Sequence, residues 1–239
     1  MALNIQTFKT RALTALLFVV VMLTGLLWNF WSFLILFTVI HFGCWYEFVK
    51  LMKKIYAEKY LGYCLFGLIY ITMPVVMLIN LGGMQIGNAN VIGANGSGSF
   101  LGISFEHLYV TPCTIIFSIW INDTMAYIVG SFIGKTPLTK ISPKKTWEGT
   151  IGGIIITIIV AALYSKITMC QFYWPWVFVA GISAIFGTLG DLLESKLKRT
   201  ADVKDSGSFM PGHGGFLDRF DSLLVAVPFV WLYVQLFVR

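Results

Sequence analysis

Residues 149–167 read GTIGGIIITIIVAALYSKI. Across these nineteen positions the one charge, Lys166, stands near the far end, and apolar residues follow one another without period-two alternation. About 20 residues rising 1.5 Å each cross a hydrocarbon layer about 30 Å thick, so a run of this length suits a transmembrane helix. Inside lipid the backbone must satisfy its own hydrogen bonds, which leaves helices and closed barrels. A barrel strand alternates between lipid-facing and lumen-facing residues. This stretch does not alternate, so it is read as a helix.

The same character recurs along the chain. Of 239 residues 57% are hydrophobic and 12% charged, about half the charged fraction of a soluble domain, and the mean hydropathy is +0.80. Spans are expected at Leu13–Trp28, Phe30–Val49, Leu61–Leu81, Leu108–Ile133, Gly149–Ile167, Trp174–Leu193 and Phe216–Val238. The expected fold is therefore all-α: a polytopic integral membrane helical bundle of about seven transmembrane helices. The turn WNFW (28–31) between the first two places Trp28 and Trp31 where an interfacial belt belongs, and a shallow hairpin that stops short of crossing is the alternative there. Lys9 and Arg11 ahead of the first run give it the look of a signal peptide, but no small-residue cleavage site follows, so it is read as retained. The chain shows no internal repeat and no separate soluble domain.

Charge orients the bundle. With the N-terminus in the cytoplasm, the inner side collects Lys9, Arg11, Lys50, Lys53, Lys54, Lys59, Lys135, Lys140, Lys144, Lys145, Lys196, Lys198, Arg199, Lys204 and Arg219, leaving Lys166 and Arg239 outside. That is the positive-inside asymmetry. The net charge of +6 is thereby accounted for by topology and anionic lipid, and no nucleic-acid partner is expected. Cys44, Cys64, Cys113 and Cys170 are dispersed without CxxC spacing, which offers neither a disulfide nor a zinc framework.

The acids are few, and several fall where a charge is costly and usually functional. Asp123 lies inside the fourth span, Asp191 and Glu194 close the sixth, and Asp218 and Asp221 open the last. Helical spacing puts 191, 194, 195 and 198 on one face and 218, 221 and 222 on another. The loop 196–224 can bring these two stripes together. Asp191, Asp218 and Asp221 converging would need a cation, and hard oxygen ligands favour Mg²⁺, Mn²⁺ or Ca²⁺ over zinc. Glu47 and Glu148 are expected near the interface, with structural and functional roles equally open. Between the acids lies PGHGG (211–215), whose glycines let backbone amides approach an anion. Lys198, Arg199, Lys204, His213 and Arg219 surround it, and ISPKKTWEGT (141–150) adds Lys144 and Lys145. Metal-binding carboxylates beside a basic, glycine-rich loop describe a phosphate-handling site, although no Walker sequence is present.

At these residues SKLKRTADVKDSGSFMPGHGGFLDRFDS (195–222) resembles the signature of the phosphatidate cytidylyltransferase (CDP-diacylglycerol synthase) family. The fixed positions are met by Ser195, Lys198, Arg199, Lys204, Asp205, Pro211, His213, Gly214, Gly215, Asp218, Arg219 and Asp221. NDTMAYIVGSFIGK (122–135) and SPKKTWEG (142–149) are similar to further family blocks, and the likeness runs from Ile119 to the end, about half the chain. It implies transfer of a cytidylyl group from CTP to phosphatidate, with release of pyrophosphate. By that resemblance Asp191, Asp218 and Asp221 would hold Mg²⁺, with a second ion such as K⁺ allowed, and Lys204 would join them in the chemistry. Lys144, Lys145, Lys198, Arg199, His213, Gly214, Gly215, Arg219 and Asp123 would contact substrate. The expected organisation is N-terminal transmembrane helices over 1–107 and a catalytic region over 108–239, with its signature loop 194–222 in the cytoplasm. Membrane lipids are the expected surroundings, in a bacterial inner membrane, and a homodimer is left open. The rivals are a CTP-dependent polyprenol kinase, against which the intact loop signature speaks, and an ion transporter built on the same carboxylates.

Overall fold

The structure, a computed structural model, describes residues 5–83, 98–100, 103–105, 110–169, 174–209 and 214–238; for residues 5–11, 83, 98–100, 103–105 and 168–169 it describes the backbone alone. Eight α-helices are seen among the described residues: α1 (Ile5–Leu27), α2 (Phe30–Tyr56), α3 (Tyr60–Cys64), α4 (Met73–Gly83), α5 (Val110–Ile133), α6 (Trp147–Met169), α7 (Trp174–Thr200) and α8 (Leu217–Tyr233). A π-helical turn, Leu68–Thr72, precedes α4, and another, Val234–Val238, follows α8. Among the described residues the strands form an antiparallel pair, β1 (Gly98–Phe100) and β2 (Ile103–Phe105), in register Ser99↔Ser104.

Among the described residues five helical stretches are long and apolar enough to cross a membrane: Phe30–Cys64, Val110–Ile133, Trp147–Ile167, Trp174–Thr200 and Leu217–Val238. Shorter apolar helices, Ala12–Leu27 and Leu68–Gly82, stand where the first and third spans were expected. The polytopic helical membrane bundle is thus what the chain forms. The third expected span, Leu61–Leu81, is not one continuous α-helix: α3, the π-helical turn and α4 share it. Pro74 lacks the N–H that the Tyr70 carbonyl would receive in an unbroken helix, and a π-turn beside a proline is a known cause of such a break.

Local chemistry sets the joints that matter for the site. Asn29 opens α2 with a capping box, its Oδ1 accepting from the Ser32 N–H at 2.8 Å while Ser32 Oγ accepts from the Asn29 N–H at 3.0 Å. The outward Trp28 and Trp31 flank it, as an interfacial belt requires. α2 and α7 both continue beyond their expected apolar ends, to Tyr56 and Thr200, carrying Lys50, Lys53, Lys54, Lys198 and Arg199 into their last turns or just before them. Lysine and arginine are good helix formers and favour a helix C-terminus.

Without a hydrophobic force between helices in lipid, close approach depends on small residues. Gly149 and Gly153, four apart on α6, lie against Ala126 and Asn122 of α5, where a Cβ on either would come within 3 Å of backbone. Between α7 and α8 the small positions are Gly187 and Gly190. The buried core is continuous from Leu26 and Phe33 through Ile71 and Leu78 to Ile115, Leu224 and Val230, so helices from both halves of the chain share it.

Candidate active site

At Gly190 helices α7 and α8 touch. A Cβ there would stand 2.5 Å from the Asp221 carbonyl oxygen and 2.9 Å from Ser222 Cα. This backbone contact sets Asp191 of α7 beside Asp221 of α8. Glu194, one turn beyond Asp191, completes a group in which one carboxylate oxygen from each of the three residues lies within 4.8 Å of the other two. At an effective dielectric near 20, two such charges 4.8 Å apart repel by about 3–4 kcal/mol. Glu194 is fully buried, and neither of its oxygens has a hydrogen-bond partner, although Lys198 Nζ stands 2.5 Å from Oε2 in an ion pair without hydrogen-bond direction. Lys145 pairs with Asp191, and the Ser222 N–H donates to Asp221 Oδ1 at 2.6 Å. Orphaned buried carboxylate oxygens, all hard donors and short of compensating charge, are what a divalent cation of the Mg²⁺ type takes as ligands.

Asp218 is occupied differently from the sequence expectation. Its Oδ1 accepts from Lys198 Nζ at 2.6 Å; its Oδ2 accepts from the N–H groups of Ser206 and Gly215, at 2.9 and 2.8 Å, and from Ser206 Oγ at 3.0 Å. It folds the loop onto the first turn of α8 and aims Lys198. Among the described residues the gathering carboxylates are therefore Asp191, Glu194 and Asp221, with Asp218 bound into the loop beside them. Gly214 has φ +88°, and a Cβ there would also stand 2.6 Å from Asp218 Oδ2, so backbone and space both demand glycine.

Beside the carboxylates lies a cleft of about 280 Å³ lined by Ser142, Pro143, Lys144, Ser195, Lys198, Arg199, Lys204 and Asp205. Four cations against one carboxylate make it an anion site. Its outer wall is the 134–146 loop, closed by the Pro137–Thr146 bridge and by hydrogen bonds from the Leu138 N–H to the Lys145 carbonyl (2.7 Å) and from the Trp147 N–H to the Thr136 carbonyl (2.9 Å). Glu148 ties the loop to α6, accepting from the Lys135 and Thr136 N–H groups at 3.2 Å and from Thr136 Oγ1 at 2.8 Å. Lys144 thus faces the cleft and Lys145 the carboxylates. Burial makes the Lys145 ammonium easier to deprotonate than usual, while Asp123 and Asp221 act in the opposite sense. Asp123 accordingly lies within electrostatic reach of Lys145. Arg219 is exposed on the first turn of α8, outside the cleft lining, and His213 and Pro211 lie outside the described residues.

Two participants were underweighted by sequence reasoning. Glu194 could have been found from its i, i+3 spacing to Asp191. Glu47, on α2, is buried and accepts from the Phe216 and Leu217 N–H groups at 2.9 Å and from Ser206 Oγ at 2.7 Å. The one signal for it was an acid close to the end of an apolar run.

A family model described as the cytidylyltransferase family matches residues 99–237, more than half of the chain. The chain belongs to the cytidylyltransferase family. The family region begins within β1 and takes in α5 to α8, hence the carboxylates, the cleft and the signature loop, but not Glu47. The chain is 47% identical over 123 residues to a Bacillus subtilis protein named phosphatidate cytidylyltransferase, covering 50% of this chain and 45% of that one. It is 43% identical over 134 residues to phosphatidate cytidylyltransferase 5, chloroplastic, of Arabidopsis thaliana (54% and 32% covered). A Staphylococcus saprophyticus phosphatidate cytidylyltransferase is 42% identical over 139 residues, with 54% of each chain covered. The chain thus spans between about a third and about half of the length of these relatives.

Proposed function

We propose that this protein is a phosphatidate cytidylyltransferase: it joins CTP and phosphatidate into CDP-diacylglycerol and releases pyrophosphate. The observation that carries the reading is the juxtaposition of the Asp191–Glu194–Asp221 group with a cleft walled by Lys144, Lys198, Arg199 and Lys204, at the ends of membrane helices. The names of the relatives point the same way.

In the reaction a phosphate oxygen of phosphatidate forms a bond to the α-phosphorus of CTP, and the bond from that phosphorus to the β-bridging oxygen breaks. The attacking phosphate is already ionised, so no general base is needed. Two anions must meet, and cations have to supply most of the stabilisation. Lys144, Lys198, Arg199 and Lys204 hold the triphosphate and neutralise the departing pyrophosphate. Asp218 keeps Lys198 directed at the site, and Lys145 balances Asp191. Asp191, Glu194 and Asp221 would hold Mg²⁺, which when bound screens phosphate charge and polarises the attacked group. A second ion such as K⁺, a homodimer, and substrate contacts by Asp123, His213, Gly214, Gly215 and Arg219 belong to the same proposal. So does a site facing the cytoplasm of a bacterial inner membrane.

The test is the fate of label. Purified protein in detergent with phosphatidate and Mg²⁺ receives CTP labelled at the α- or the γ-phosphate. The expected result is α-label in lipid and γ-label in pyrophosphate. Label from the γ-position in a supplied polyprenol, with α-label left in CDP, would establish the kinase. Ion flux in liposomes without any CTP chemistry would establish the transporter.

A further inference from the structure

We infer that Glu47 is a positioning residue for the cleft, acting from α2, outside the residues that the family model matches. The inference rests on the cytidylyl-transfer reading above. Glu47 is 3% exposed and forms no ion pair among the described residues. Its oxygens take three donors from the signature loop and the start of α8: the Phe216 N–H, the Leu217 N–H and the Ser206 hydroxyl. The two amides belong to the N-terminus of a 17-residue helix, where a carboxylate is favoured. Both strands of the loop are cut to fit it. A Cβ on Gly207 or on Gly215 would overlap the Glu47 carboxylate.

From this anchor a chain of polar contacts runs to the cleft. The Ser206 hydroxyl lies 2.7 Å from Glu47 Oε2 and 3.0 Å from Asp218 Oδ2, and its single proton serves one of them at a time. Asp218 Oδ1 accepts from Lys198 at 2.6 Å, and Lys198 stands 2.5 Å from Glu194. Lys198 lines the cleft; Glu47 does not. Glu47 therefore acts on substrate through Ser206, Asp218 and Lys198. A glutamine has the same shape, but its NH₂ would face a donor wherever it turned, since both oxygens of Glu47 accept. Undocking of the loop would then release the clamp on Lys198.

The experiment compares wild type, Glu47→Gln, Ser206→Ala and the double variant, each monodisperse in detergent. Loss of positioning should lower kcat of Glu47→Gln by roughly 10- to 100-fold, with the KM for phosphatidate unchanged. The Ser206→Ala loss should be smaller, and the double variant no slower than Glu47→Gln, because residues in one chain of contacts are not additive. Tryptic cleavage after the exposed Lys204 reads loop docking without any turnover, and it should accelerate in Glu47→Gln. Losses that multiply in the double variant would overturn the inference, and so would faster cleavage with kcat retained. Should wild type fail to move α-label into lipid, the functional reading falls by itself. Cleavage then still decides the anchor: unchanged rates overturn it and faster rates support it.

Discussion

At the scale of single residues, two glycines three apart on α7 should behave differently. A Cβ on Gly190 meets the backbone of Asp221 and Ser222 at 2.5–3.1 Å, and backbone cannot step aside. On Gly187 it meets Ile119 Cγ1 at 3.3 Å and Ser222 Cβ at 3.5 Å, and an isoleucine side chain can give by a few tenths of an ångström. Gly190→Ala should therefore part α7 from α8 beside Asp191 and Asp221, costing about 100-fold in transfer rate and raising the Mg²⁺ needed for half-maximal activity. Gly187→Ala should stay within a few-fold of wild type. Equal losses in both, measured by Mg²⁺ titration of α-label transfer, would refute the assignment of the crossing to Gly190. The same contact explains what the sequence could and could not show. The i, i+3 pattern put Asp191 and Glu194 on one face of α7, and Asp218 and Asp221 on one face of α8. Which of the four would meet depends on the rotation of one helix against the other, and neither helix's own pattern expresses it.

At the scale of elements, the C-terminus of α7 illustrates a sequence at odds with its backbone. The Val203 N–H bonds to the Lys198 carbonyl at 2.9 Å and the Asp202 N–H to the Arg199 carbonyl at 3.1 Å, the pair of bonds that defines a Schellman ending. Asp202 occupies its left-handed position with φ +51°, where glycine carries no steric penalty. Its side chain is exposed and its carbonyl is touched by Lys54 Nζ at 3.3 Å, a contact that a glycine would retain. Asp202→Gly should thus stabilise the fold by about 0.5–1 kcal/mol, less the extra freedom it gives the unfolded chain. A raised thermal midpoint in detergent with unchanged transfer rate is the expected result; a lowered midpoint would mean that the aspartate side chain contributes something the contacts do not reveal. Elements were legible where apolar length decided them, as for α5 and α6, and less so at their ends. α2 and α7 outlast their apolar runs because lysines prolong a helix that hydropathy alone would stop. The break at Leu68–Thr72 was encoded in Pro74, which hydropathy does not weigh.

At the scale of the whole molecule, the two expected halves, 1–107 and 108–239, are joined by a single core and by Glu47, a contact between positions some 160–170 apart in sequence that no local pattern could announce. Orientation is the property that the bundle alone does not carry, since a helix bundle is equally well packed either way up. It follows instead from charge. The 23 residues of α6 span about 35 Å, more than a hydrocarbon core of about 30 Å, so its ends belong to opposite surfaces. At its N-terminal end stands the cleft, with Lys144, Lys198, Arg199 and Lys204; near its other end stands Lys166. On the proposed function, the positive-inside rule would put the cleft on the cytoplasmic side, where CTP would be supplied from water while the lipid substrate would enter from the side. Single cysteines at Ser208 and at Lys166, in a background without the four native cysteines, should react with an impermeant maleimide from opposite faces of sealed vesicles. Only vesicles with the Ser208 face outward should make CDP-diacylglycerol from added CTP. Labelling of both positions from one face would remove the opposed ends of α6. Labelling from opposite faces, with turnover confined to vesicles exposing Lys166, would keep the bundle and invert the supply of CTP, contrary to the charge argument.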